Sequence, residues 1–203
     1  MIQKVYLYTR FERFWHWFQA LLVLILLLTG FEIHGNIDLF GYELAVRWHD
    51  ISAYSLFVLF VFAVFWHATT GQWKHYVPIR EKLIEVCSFY VKDIFKGACH
   101  PFEKHPERKL NPLQRLVYLF LKAVIFPLQF VTGFIYLYPD WFRAKGIAIS
   151  TGQIAFLHTA GAFFMLIFLI FHCYLITTGR TPLSHLKGMI TGWEEIEINE
   201  KRT

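Results

Sequence analysis

Four apolar runs, each about the length that a membrane-crossing helix needs, constrain this chain more than any other feature. They span roughly Trp15 to Ile33, His49 to Thr70, Leu116 to Tyr138 and Gly152 to Thr178. A spanning helix takes ~20 predominantly apolar residues to cross a ~30 Å hydrocarbon core. Lipid offers backbone groups no hydrogen bonds, so helices are the form such runs must take. Of the 203 residues, 56% are hydrophobic and only 17% charged, which excludes an ordinary soluble domain. Aromatic residues make up 19%, suiting interfacial belts and flat packing. The formal net charge of +5 could point to nucleic acid, but the basic residues are too unevenly placed for that reading. Three lie before the first run (Lys4, Arg10, Arg13), nine between Lys74 and Arg115, and four from Arg180 to Arg202. The other two connections hold only Arg47, Arg143 and Lys145. The positive-inside rule then puts both termini and the 71–115 connection in the cytoplasm. The first run is long for a leader's apolar region and lacks a small-residue cleavage site, so a membrane span is expected.

The runs carry histidines at matched levels. His158 and His172 are 14 residues apart on one run, close to four turns, so their imidazoles share a face and stand ~21 Å apart. His16 begins the first run and His49 the second. With alternating directions, His49 meets the level of His158, and His16 that of His172. Paired imidazoles at two depths are what two haem irons stacked across a bilayer require, and double ligation favours electron transfer over oxygen chemistry. The expected fold is all-α and integral to the membrane: a four-helix bundle, one domain over 1–203, holding two b-type haems. Covalent attachment is not expected, because Cys99-His100 has Lys96 where a c-type motif needs cysteine. No zinc or disulfide framework is suggested by Cys87, Cys99 and Cys173.

Supporting positions follow from the same geometry. Gly30 is 14 residues from His16, on nearly the same face and at the level of the outer iron, and Gly133 reaches a similar level on the third run. Either glycine admits a flat ring, or serves a helix–helix contact. His67, 18 residues after His49, shares its face and could replace His16 as ligand, meet a propionate or line a quinone pocket. Lys122, inside the third run, could snorkel or meet a propionate or a quinone. His34, His75, His100, His105 and His185 read as solvated loop positions. Ile79 to Phe95 shows helical spacing of apolar residues, as for an amphipathic helix on the membrane surface or against a partner subunit. Glu194-Glu195-Ile196-Glu197 reads as a solvated acidic end.

Arg13-Phe14-Trp15-His16-Trp17, Leu27-Leu28-Thr29-Gly30, Val131-Thr132-Gly133, Leu157-His158-Thr159-Ala160-Gly161 and Leu186-Lys187-Gly188-Met189-Ile190-Thr191-Gly192 together resemble the dihaem cytochrome b subunits of respiratory formate dehydrogenases. Thiosulfate reductases and nickel–iron hydrogenases have related subunits. The resemblance covers nearly the whole chain. It implies a bacterial or archaeal cytoplasmic-membrane cytochrome that passes electrons between an iron–sulfur partner subunit and the quinone pool (menaquinone or ubiquinone), with substrate chemistry on a further catalytic subunit. It implies Arg13 near a haem. It also implies a quinone pocket near the inner haem, with Asn111 and Gln114 as its residues; these two could instead only cap the third span. His67 with Ala68-Thr69-Thr70-Gly71-Gln72-Trp73 departs toward the thiosulfate-reductase branch and leaves the partner open. Rival expectations are a free-standing transmembrane reductase and a haem-free membrane anchor.

Overall fold

The computed structural model describes residues 2–98, 101–102, 108–147, 150–179 and 181–197. Cys99, His100, Lys104, His105, Arg180, Lys201 and Arg202 lie outside them. In order the chain forms strand β1 (Ile2–Tyr6) and helices α1 (Arg10–Ile33) and α2 (Tyr42–Thr70). A short 3-10 turn (Gln72–Tyr76) and α3 (Leu83–Ser88) follow, then α4 (Pro112–Phe120), α5 (Phe126–Leu137) and α6 (Pro139–Ala144). α7 (Thr151–Ile176), α8 (Ser184–Thr191) and strand β2 (Trp193–Glu197) complete it. A π-helical turn, Leu121–Ile125, joins α4 to α5. Pro127 in the next turn lacks the N–H that the carbonyl of Ala123 would accept, which accounts for the local widening.

Four helical stretches are long and apolar enough to cross a membrane: Arg10–Ile33, Tyr42–Thr70, Pro112–Leu137 and Thr151–Ile176. The first two begin earlier than the apolar runs. Thr9 and Glu12 cap α1 reciprocally, Thr9 N–H donating to Glu12 Oε2 at 2.8 Å and Glu12 N–H to Thr9 Oγ1 at 3.3 Å. α2 follows Gly41, whose φ of 85° only glycine adopts without strain. Ahead of it, Glu32 Oε1 accepts the backbone N–H of Leu39, Phe40 and Gly41 at 3.0, 2.6 and 2.7 Å, closing the α1–α2 connection.

The described residues fall into two compact units. One is drawn from Phe14–Phe65 and Lys122–Cys173. Its interior is aliphatic and aromatic: Leu22, Leu56, Ile125 and Ile154 are buried, and Phe57 and Phe60 meet Phe126, Phe130 and Phe134 with ring centres 5.2–5.6 Å apart. The other is drawn from Met1–Arg13, Trp66–Leu121 and Tyr174–Thr203. It buries Leu7, Val86, Phe89 and the polar Asn111 and Arg115. Arg115 is satisfied by carbonyls, its Nε donating to Leu110 and its Nη1 to Val77, both at 3.2 Å.

The fold is therefore mostly rather than wholly helical. β1 and β2 pair antiparallel with Lys4 opposite Glu195 and Tyr6 opposite Trp193. The acidic segment is thus a strand; Glu195 is exposed, but Glu194 is buried and takes a 2.7 Å contact from His185 Nδ1. That contact also corrects His185, which lies in α8 rather than in a solvated loop. His75 is half-buried in the 3-10 turn, whereas His34 is exposed just past α1. Residues 83–96 are helical in short pieces, but their apolar side chains divide. Val86 and Phe89 are buried, while Ile84, Val91 and Phe95 stay exposed.

Candidate haem site

His16 lies in the second turn of α1 and His172 in the last turns of α7; their ring centres are 6.0 Å apart. His49, seven residues into α2, stands 6.4 Å from His158 near the start of α7. These are the two pairings that helical spacing selects. With a metal–imidazole nitrogen bond of ~2 Å and ~1.1 Å from that nitrogen to the ring centre, two imidazoles on one iron stand ~6.2 Å apart. Both separations fit an iron between the rings, and both exceed direct hydrogen bonding.

The imidazoles of one pair are anchored alike. His49 Nδ1 is 2.9 Å from Thr29 Oγ1, and His158 Nδ1 is 2.8 Å from Thr132 Oγ1. Each threonine is fully buried, and each hydroxyl also reaches a carbonyl four residues back, Ile25 at 2.7 Å and Leu128 at 2.6 Å. The next residue in each case is glycine. A Cβ on Gly30 would touch His49 Cε1 at 3.6 Å, and one on Gly133 would touch His158 Cε1 at the same distance. So both glycines lie against the ligand rings themselves. Gln129 Nε2 further ties α5 to α7 by donating to the carbonyl of His158 at 2.9 Å. The threonines escaped the sequence reading; the signal was a Thr-Gly pair late in the first and third spans, each before a span that opens with histidine.

The other pair rests on aromatic rings. His172 stacks on Phe168 at 5.5 Å and 19°, and His16 meets Trp17 edge-on at 5.4 Å. Lys122, carried by the π-helical turn, lies over the Trp15 ring at 4.6 Å. Arg13 donates through Nη1 to the carbonyl of Ile190, and its Nε is buried with no partner among the described residues. An orphaned guanidinium N–H of this kind suits a carboxylate ligand.

His67 is buried, edge-on to Trp66 and Tyr76, with Nε2 3.3 Å from the Tyr76 hydroxyl. Burial, with Tyr118 and Glu12 adding to it, raises the pKa of Tyr76, so that hydroxyl keeps its proton. Asn111 and Gln114 form the reciprocal cap of α4. Gln114 N–H donates to Asn111 Oδ1 at 2.8 Å and Asn111 N–H to Gln114 Oε1 at 3.0 Å. Asn111 Nδ2 donates to Tyr90 Oη at 3.1 Å, and the cap bonds do not use Gln114 Nε2. One surface cavity, of about 460 Å³, is lined by Glu32, Asn36, Asp38 and Tyr42 and includes none of the histidines. Among the described residues no three His, Cys, Asp or Glu side chains cluster as a protein-only metal site. Two facing imidazoles suit an iron porphyrin, which supplies its own four nitrogens.

The chain is similar to known membrane cytochromes over most of its length. Residues 7–192 match the family described as prokaryotic cytochrome b561. The chain is 33% identical over 198 residues to "Putative cytochrome YdhU" of Escherichia coli (strain K12), covering 94% of this chain and 75% of that protein. No solved structure matches it. Paired histidines on membrane-length helices and a family match over nearly the whole length have one reading: the chain belongs to the prokaryotic cytochrome b561 family, as a b-type membrane cytochrome of electron transport.

Proposed function

We propose that the chain is a dihaem cytochrome b subunit that carries electrons across the membrane between an iron–sulfur partner subunit and the quinone pool. The carrying observation is that α7 supplies one histidine to each of two pairs at iron-bridging separation, 14 residues and ~21 Å apart along its axis. His49 and His158 hold the outer haem, and His16 and His172 the inner one. With both termini and the 71–115 connection cytoplasmic, the outer haem faces the partner's side. Bound haem supplies one-electron iron chemistry. The chain's residues do the rest. With haem bound, each histidine pair would hold one iron and leave no ligand position for oxygen. Gly30 and Gly133 leave room beside the outer ligands. Lys122 would bind a propionate, and the unpaired Arg13 Nε suits a carboxylate. Asn111 sets the start of α4, and Gln114 Nε2 donates to a quinone carbonyl. Substrate chemistry belongs to a catalytic subunit bound to the iron–sulfur partner.

Purification from native membranes followed by quinol addition tests this reading. A menaquinol or ubiquinol analogue should reduce the b-type α-band, Gln114→Ala should slow that reduction, and stoichiometric companion subunits should co-purify. Haem reducible by dithionite but by no quinol would contradict the quinone link. Isolation without any companion would favour a free-standing reductase.

A further inference from the structure

We propose that Thr29 and Thr132 are positioning residues that lock His49 and His158 into the Nδ1–H tautomer and thereby set the reduction potential of the haem between them. The proposal rests on the haem reading above and goes further, to residues that touch no iron. A threonine hydroxyl has one proton. Ile25 and Leu128 present carbonyl oxygens at 2.7 and 2.6 Å, and a carbonyl can only accept. Each hydroxyl proton is therefore committed along its own helix. What Oγ1 then offers His49 Nδ1 at 2.9 Å and His158 Nδ1 at 2.8 Å is a lone pair, so both Nδ1 atoms must carry hydrogen. A neutral imidazole has one N–H, which leaves Nε2 bare in both rings and free to bind iron. With Thr29 1% and Thr132 2% exposed, no water competes for these bonds.

The device is built twice. Thr29-Gly30 on α1 addresses His49 on α2, and Thr132-Gly133 on α5 addresses His158 on α7. In both, the hydroxyl meets Nδ1, and a Cβ on the following glycine would stand 3.6 Å from Cε1. Among the described residues His16 and His172 have no hydrogen-bond partner of this kind; His16 meets Trp17 edge-on and His172 stacks on Phe168. Donation from Nδ1–H makes an imidazole more basic toward metal and favours the ferric state. The threonines thus lower the potential of one haem and leave the other untouched.

The test compares Thr29→Val and Thr132→Val, which keep the shape and lose the hydroxyl, with Thr29→Ser and Thr132→Ser, which keep it. Full-length protein is purified in detergent. The midpoints of both haems are titrated at the α-band, the low-spin ferric EPR line positions are recorded, and haem loss to apomyoglobin is timed. In the valine variants one midpoint should rise, one EPR signal should shift, and haem should leave that site about 10-fold faster; the serine variants should match wild type. Complete loss of one haem in the valine variants only would support the proposal equally. Valine variants with wild-type midpoints and EPR lines would overturn it, as would haem loss in valine and serine variants alike. Wild-type protein lacking a reduced b-type α-band would instead sink the haem reading itself.

Discussion

Gly161 shows how closely the site is packed at the scale of one residue. A Cβ there would fall on the amide of Gln129, the group that donates to the carbonyl of His158. Gly161→Ala should therefore displace Gln129 and break that bond. The expected cost is about 0.5–1.5 kcal/mol, the net worth of one hydrogen bond, because the carbonyl keeps its helical bond within α7; it is read as a lowered midpoint in thermal unfolding. His75 makes a prediction about pH. Burial, then Lys109 and Arg115, hold its pKa below the ordinary histidine value, with Glu12 opposing them. Glu12 is already paired to Lys109 at 2.8 Å. Because the folded state resists protonation, the unfolded chain binds more protons once pH falls through ~6.5, and stability is lost there. Unfolding measured from pH 8 to 5 should show that loss, and His75→Gln should flatten it. The histidines were legible because a 3.6-residue period fixes both face and depth. The threonines were not, because a hydroxyl that bonds the carbonyl four residues back sits unremarked in an apolar run. For Asn111 and Gln114 the resemblance implies quinone contacts with a cap as the alternative, and they form that cap, closed on both sides.

Among the elements, the four long helices followed from composition, but their ends were set by other chemistry. α1 starts at Arg10 because Thr9 and Glu12 cap it, and α2 reaches back to Tyr42 because Glu32 gathers the preceding turn. The β1–β2 pair could not be read in advance. Its strands are five residues each and lie at opposite ends of the chain, so no local period announces them. Their junction depends on Gly192, which has a φ of 87° and whose carbonyl accepts Leu7 N–H at 2.8 Å. A Cβ there would also stand 2.5 Å from the Tyr6 ring and 2.7 Å from the carbonyl oxygen of Tyr8. Gly192→Ala should cost about 1–3 kcal/mol in backbone strain alone. Amide exchange at Lys4, Val5 and Tyr6 should accelerate while exchange within α7 is unchanged.

Over the whole molecule, the apolar windows of the four spanning helices are only 11–28% buried within the chain. So much uncovered aliphatic and aromatic surface is stable in lipid and not in water. Side chains such as Phe65, Phe156 and Phe171, each 62–72% exposed, are accounted for by that solvent. The paired histidines stand on these apolar spans, and their pairing is the centre of the account. The most direct measurement is haem per polypeptide, by pyridine haemochromogen assay with quantitative amino-acid analysis, in wild type, His158→Ala and His172→Ala. The account predicts two b haems in wild type and one in each variant, with different midpoints surviving in the two. One haem in wild type, or two retained in either variant, would contradict it.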